Sequence, residues 1–247
     1  MTTATAVRRA DVCCVAIAEC FRGDGEIVAN PIGTIPRIGG LLARQSFEPD
    51  LVMTDGEAMF TDADGNVEAW NPYRSMFDVV WSGRRHVIMG GSQIDASGNH
   101  NFAAIGGMKH PKVQLLGFRG APGNTVNNVT SYWVPNHGTR VFVPSVDVVT
   151  GVGHDRAAAA GPAATRYHAL RYVVTNLAVF DFETPQHTMR LRSVHPGVTV
   201  DAVLGATGFV VAVPADVSTT REPTADELAL LEQIDPDGAR YAEVPDV

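Results

Sequence analysis

The segment from Pro49 to Asn128 constrains the fold most. It holds three short apolar runs, DLVMT, HVIMGG and KVQLLGF, and each gives way to glycines and small polar residues. In an open α/β sheet, chemistry gathers at the carboxyl ends of strands, where loops converge. Three such endings within about eighty residues predict one site assembled from several strand tips.

The rest of the chain alternates in the same way. DVCCVAIAECF fits a mostly apolar helix, though its pattern also suits a strand, and EIVAN is a short strand. Arg37 to Gln45 fits a helix leading into DLVMT, which makes one βαβ-like unit. Asp62, Asp64 and Asn66 have the spacing of a calcium loop, but the sixth-position glycine and twelfth-position acid are missing, so TDADGN is a plain turn. Pro72 to Trp81 predicts a helix, RHVIMGG a buried strand and KVQLLGF another. TVNNV is the start of a helix, and RVFVPSVDVVT is strongly β-branched. HDRAAAAGPAAT fits a mobile surface loop or a frayed helix. YVVTNLAVFDF and TMRLRSV are strands that pair around ETPQH, and PGVTVDAVLGATG leads from a strand into a helix. TREPTADELALLEQIDPDG is an amphipathic helix with a capping box between Thr224 and Glu227. The expectation is a single α/β domain over residues 1–247, a doubly wound and mostly parallel sheet with helices on both faces, and a C-terminal helical tail at about 223–235.

A formal charge of −8, with its basic residues scattered, argues against nucleic acid as a partner. No apolar run reaches the length of a membrane span, and MTTATAVRRADVCC lacks an h-region followed by a cleavage site. The cytoplasm is the expected location. Cys13, Cys14 and Cys20 show no CxxC spacing and are expected to be buried thiols. The eight histidines form neither HxH nor HExxH patterns, which argues against a metal site, and no Ser-His-Asp set can be assembled by spacing.

GFRGAPGNTVNN is neither a Walker loop nor a dinucleotide fingerprint. Gly120 and Gly123 suit an ordinary turn, or a set of backbone amides facing a developing negative charge with Asn124 adding a donor. Arg119 beside them is a solvated surface charge or a bidentate anion binder. Ser92 and Gln93 lie near the second strand tip, and Asp95 and Asn99 are better suited to locking its loop. Asp55 and Glu57, at the first tip, are not compelling acid–base groups.

In their order and spacing, LVMTDGEAMF, GGSQIDASGN, KVQLLGFRGAPGN, TRVFVPSVDVVTGVG and YVVTNLAVFDF resemble the β subunits of class I coenzyme A transferases, from about Ala10 to Gly208. The resemblance implies the doubly wound fold of that family and an α/β pair, often an α2β2 heterotetramer. In the transferases a glutamate attacks the thioester. The matching stretch here is Met53-Thr54-Asp55-Gly56, so Thr54 stands in that place, and threonine has no carboxylate with which to form an anhydride. The chain is more similar to a branch of the family that opens a steroid-derived ring, by carbon–carbon hydrolysis of a cyclohexenone carboxyl-CoA, with the key glutamate on the α subunit. That resemblance implies catalytic roles for Arg119, Gly120, Asn124 and Thr54, with Thr54 orienting water or lining the pocket, and substrate contacts from Ser92, Gln93, Ala121 and Gly123. It implies no permanently bound cofactor, with coenzyme A arriving as part of the substrate. The alternatives are a β subunit of a transferase for keto or dicarboxylic acids, and a non-catalytic supporting subunit.

Overall fold

The computed structural model describes residues 6–82 and 84–246. DVCCVAIAECF is helical, within α1 (Arg9–Cys20), and almost all of α1 is buried. A helix apolar on every side belongs inside a protein, and tertiary packing decides between the two readings its pattern allows. The three cysteines are free and buried as expected, and burial pushes all three thiols well above their usual pKa. β1 (Val28–Pro31), α2 (Thr34–Ser46) and β2 (Val52–Thr54) form the expected βαβ unit, with β1 and β2 parallel. β3 (Met59–Thr61) and β4 (Val67–Trp70) add an antiparallel hairpin. At its turn, Asp62 Oδ1 accepts the amides of Asp64 at 2.9 Å and Asn66 at 2.8 Å. α3 (Tyr73–Ser82) and the wholly buried β5 (Arg85–Met89) follow.

The next stretch departs most from expectation. After β5 the chain makes two small hairpins, β6 (Gln93–Ile94) with β7 (His100–Asn101) and β8 (Ala104–Ile105) with β9 (Val113–Gln114). KVQLLGF is therefore not a strand of the main sheet: only β9 pairs, both its residues are exposed, and Leu116 is 79% exposed. α4 (Ala121–Asn127) starts four residues before TVNN, which forms its second half. β10 (Val129–Val134), a central strand, was not foreseen. Its Thr130 and Ser131 are fully buried, and such polar residues hide a buried strand from a reading by apolar runs. RVFVPSVDVVT forms no strand despite its β-branched residues. Pro144 cannot donate to a ladder, and the segment is held instead by Ile94 N to Val141 O at 2.7 Å and Val143 N to Ile94 O at 3.0 Å.

HDRAAAAGPAAT forms two short helices, α5 (His154–Ala160) and α6 (Pro162–Thr165). YVVTNLAVFDF is a tight hairpin of β11 (Ala169–Thr175) and β12 (Ala178–Asp181) rather than one strand. Thr175 Oγ1 makes the reversal by accepting the amides of Leu177 and Ala178, each at 3.0 Å. β12 also pairs with β13 (Arg190–Val194) around ETPQH as expected. Residues 196–199, before α7 (Val200–Gly205), form no strand and only connect β13 to the helix, and β14 (Ser218–Thr219) ends the sheet. α8 (Ala225–Ile234) carries the expected capping box: Thr224 Oγ1 accepts Glu227 N at 3.2 Å, and Glu227 Oε2 accepts Thr224 N at 2.8 Å. α9 (Ala239–Glu243) follows it.

The main sheet has the order β14-β13-β12-β11-β10-β5-β1-β2-β3-β4. It is parallel from β11 to β2 and antiparallel outside that block, except where β13 and β14 run parallel. Successive residues alternate between its two faces. Ile88, Trp133 and Val174 pack with α1 and α2, whereas Val87, Met89, Tyr132 and Val173 pack on the opposite side with Ala121 of α4. Both faces of the central strands are thus covered, as parallel sheets require.

Candidate functional site

A cleft of about 300 Å3 lies along the α3–α4 side of β5. Arg85 and Met89, the first and last residues of β5, share one face of the strand because they are four positions apart. Met76 and Val80, one helical turn apart on α3, line the cleft, as do Ala121 and Asn124 on α4. Ile32, just past β1, and Gly56, just past β2, bring in the strand tips. Phe102 and Leu116 come from the excursion between β5 and α4. The site is therefore built on a strand face as well as on strand tips.

The third tip lies in the cleft as the sequence suggests. Gly120 is the N-cap of α4, and its carbonyl accepts Asn124 N at 3.0 Å. Among the described residues, the amides of Gly120, Ala121 and Gly123 have no hydrogen-bond partner. Arg119 is exposed, lines the cleft and makes no hydrogen bond or ion pair among the described residues. Gly123 is not among the lining residues. A Cβ there would stand 2.6 Å from Val80 Cγ1, so this glycine serves the close approach of α4 to α3.

At the first tip, Thr54 is buried and its hydroxyl is already committed. Oγ1 shares its proton between Asn30 Oδ1 at 3.0 Å and Ala29 O at 3.2 Å, and it accepts the Gly56 amide at 3.2 Å. Thr54 is not among the residues lining the cleft and borders a recess of about 10 Å3, which meets the cleft at Met76 and Arg85. Orienting a water is therefore not what this hydroxyl is placed to do. Gly56 has φ +92°, and a Cβ on it would stand 2.5 Å from Pro31 O. Only glycine fits there. Asp55 accepts the amides of Glu57 and Met59 and forms the turn.

The second tip does not reach the cleft. Neither Ser92 nor Gln93 is among its lining residues. Gln93 Nε2 donates to Asp147 Oδ2 at 3.1 Å, while its Oε1 accepts Asn101 Nδ2 at 2.7 Å and Asp147 N at 2.9 Å. Those bonds tie the β6–β7 hairpin to the 141–151 segment. Ser92 donates its amide to Asn101 O. Asp95 and Asn99 lock the loop as expected, and Asn99 Oδ1 also accepts Gly153 N at 2.7 Å.

Two features escaped the reading by motif. Arg85 is 7% exposed, and its Nη1 donates to Asn124 Oδ1 at 2.8 Å. Burial lowers its pKa to about 10, which still leaves it a cation at neutral pH. A charged residue opening an otherwise buried strand was the available signal. The second feature is a serine–histidine–aspartate chain that spacing did not reveal. His86 Nδ1 lies 2.6 Å from Asp24 Oδ2, and His86 Nε2 lies 3.0 Å from Ser131 Oγ. The three side chains are at most 1% exposed and none borders the cleft. Burial lowers the His86 pKa despite Asp24. The neutral ring then donates to Asp24 and accepts from Ser131. For Asp24, burial opposes the charge, but His86 and Arg171 outweigh it and hold the carboxyl below its usual range. This is a buried polar strut.

A larger hollow of about 390 Å3 lies on the α1 side of the sheet, beside Arg22, Arg192 and Arg221. Arg22 pairs with Glu19, Arg221 with Glu19 and Glu227, and Arg192 with Asp181. Those charges are already answered, whereas no aspartate or glutamate lines the β5 cleft among the described residues. The cleft thus offers apolar walls, a buried cation, an exposed cation and unpaired amides. It can hold an apolar molecule with anionic oxygens, but acid–base chemistry by a carboxylate must be supplied from outside these walls.

Comparison with known proteins gives a consistent picture. Residues 75–206 match the coenzyme A transferase family model. The chain is 52% identical to the IpdB subunit of the cholesterol ring-cleaving hydrolase of Rhodococcus jostii, over 98% of each chain. It is 46% identical to the corresponding subunit of Mycobacterium tuberculosis, over 96% of this chain and 98% of that one. The crystal structure of Rhodococcus jostii IpdAB superposes with a TM-score of 0.92 at 51% identity, covering 98% of this chain and all of the matched one.

Proposed function

The chain belongs to the coenzyme A transferase family, and we propose that it is the β subunit of a heteromeric hydrolase that opens a steroid-derived ring carried as a CoA thioester. The observation that carries this reading is the 52% identity to a ring-cleaving hydrolase subunit across nearly the whole of both chains. In the reaction, water adds to a ring ketone and the bond from that carbon to its neighbour breaks. The ketone carbon becomes a carboxylate that stays in the opened chain, and the neighbouring carbon, conjugated to a carbonyl, holds enolate charge until it is protonated.

The cleft's own groups suit the charged stage of that sequence. The unpartnered amides of Gly120 and Ala121 offer donors to the developing oxyanion, the kind of stabilisation that is strongest where water is excluded. Asn124 is fixed beside them through Arg85. Arg119, at the exposed edge, meets an anionic oxygen of the substrate. The carboxylate that activates water comes from the α partner, since none lines the cleft on this chain among the described residues. Thr54 shapes the tip at which family resemblance places the transferase nucleophile, and its hydroxyl is held by Ala29, Asn30 and Gly56.

The test is an assay of the chain co-purified with its α partner. A cyclic keto CoA thioester in water should be opened, with no exchange of CoA onto a free acid acceptor. Exchange without ring opening would refute the hydrolase in favour of a transferase. In the same assay Arg119→Ala should lower kcat/KM by about a hundredfold, and unchanged kinetics would remove Arg119 from the site.

A further inference from the structure

The chain carries a formal charge of −8, but its acids are unevenly placed. No aspartate or glutamate occurs between Asp95 and Asp147, and the same stretch holds Lys109, Lys112, Arg119 and Arg140. Lys109 and Lys112 are the only lysines in the sequence, and His110 stands between them. All three lie exposed in the turn that joins β8 to β9, and neither ammonium group meets a partner among the described residues. The hairpin stands at the cleft, because Phe102 before it and Leu116, Gly117 and Arg119 after it are lining residues. Lys112 is four residues from Leu116, at most about 14 Å of extended chain. The base of the hairpin is fixed: Gly117 N donates to Phe102 O and Leu115 N to Ala103 O, each at 2.8 Å, and Lys112 N donates to Ile105 O at 2.7 Å. Asp147 faces that base, but its Oδ2 is committed to Gly106 N at 2.8 Å and Gln93 Nε2 at 3.1 Å.

We infer that the β8–β9 turn is the receptor for the phosphates of the coenzyme A portion of the substrate, with Lys109 and Lys112 as the cations that hold them. The inference rests on the proposed function and deepens it, by giving the nucleotide end of the thioester a place on this chain. A cleft of about 300 Å3 is at the small end of sites for a drug-sized ligand. It takes the acyl part, and the nucleotide end stays outside, at the mouth. Lysine meets phosphate as a mobile point charge, without the fixed fork of arginine. The net charge of the chain repels phosphates, but beyond about 8 Å that field is largely screened at physiological salt. A surface free of acids and bearing cations reverses the sign locally and draws the phosphates in.

The test measures binding of adenosine 3′,5′-bisphosphate and of neutral adenosine to the co-purified α/β complex, by calorimetry at low and at physiological ionic strength. The wild-type complex should prefer the bisphosphate. Lys109→Ala with Lys112→Ala should weaken bisphosphate binding about tenfold at low ionic strength and leave adenosine unaffected. Lys109→Arg with Lys112→Arg should restore most of the affinity. Arg156→Ala with Arg166→Ala removes the same charge from exposed positions on α5 and just after α6, and should leave bisphosphate binding unchanged. Equal affinity in the wild type and the lysine-to-alanine pair, equal losses in the two alanine pairs, or no binding by the wild type would overturn the assignment. Dissociation of the α partner from the lysine-to-alanine pair, read by sedimentation, would also overturn it, because the turn would then be a subunit contact. Lysine-dependent bisphosphate binding by a complex that opens no ring would support the receptor while refuting the hydrolase. Ring opening by a complex whose bisphosphate binding ignores the lysines would refute the receptor and leave the hydrolase intact.

Discussion

Arg240 and Arg85 are both inside the protein, but they have different surroundings. Arg240, at 0% exposure, joins α9 to α1 and α8 through Asp11 at 2.7 Å, Asp235 at 3.0 Å, and Glu232. Burial works against its charge, yet Asp11 and Asp235 more than offset that and raise its pKa. Arg85 has one neutral partner, and burial lowers its pKa to about 10. Chemically identical side chains thus do opposite things to their surroundings. One completes a closed ionic cluster that ties the C-terminal helices down. The other leaves a site short of negative charge, a condition a ligand can satisfy.

The largest effect should come from breaking the closed cluster. Arg240→Ala strands Asp11 and Asp235 in the interior and should cost about 3–5 kcal/mol in urea denaturation. Arg85→Met should shift stability by no more than about 1 kcal/mol, because relief of an unpaired charge offsets the bond lost by Asn124. Equal losses in the two variants would break the comparison.

Backbone strain beside the cleft ranks next. Gly56→Ala, at φ +92° and 2.5 Å from Pro31 O, should cost about 1–3 kcal/mol and also reduce ring opening, since the residue borders the cleft. Unchanged melting would mean that the tip can move away.

Acid sharpens the contrast between groups buried neutral and groups buried charged. Burial lowers the pKa of His137 and His195 to about 4 and that of His100 to about 3, and it also lowers that of His86. Because these folded values lie below the unfolded value, the stability they contribute is present above about pH 6.5 and is lost as the pH falls from there towards 4. Urea midpoints should therefore decline through that window, while Arg85 stays charged between about pH 6.5 and 8. A midpoint independent of pH would show that the histidines are not buried neutral. A comparably small effect belongs to Thr224→Ala, which removes one cap from α8 and should cost about 1 kcal/mol in the same assay.

Much of this architecture is legible locally. The buried cysteines of α1, the buried run of β5, the βαβ unit at β1–α2–β2 and the capping box of α8 each follow from short-range pattern and chemistry. The glycine loop at Gly120 and the family resemblance were legible in the same way, through the order of motifs along the chain. Some strands were not. β10 carries buried polar residues, so its place in the sheet centre depends on partners such as His86, 45 positions away from Ser131. KVQLLGF and RVFVPSVDVVT have apolar or β-branched composition yet find no place in the main sheet.

The sequence by itself determined the fold class, the capping box of α8 and the glycine-rich loop, because periodicity, capping and turn chemistry act over a few residues. Tertiary structure alone decided which polar groups are used up and which are left open. It gave Gln93 to Asp147 and Asn101, joined Asp24 to His86 and Ser131, and brought Asn124 to Arg85 across 39 positions. The physical reason is that a side chain's chemistry is set by what meets it in space, and those partners come from distant parts of the chain.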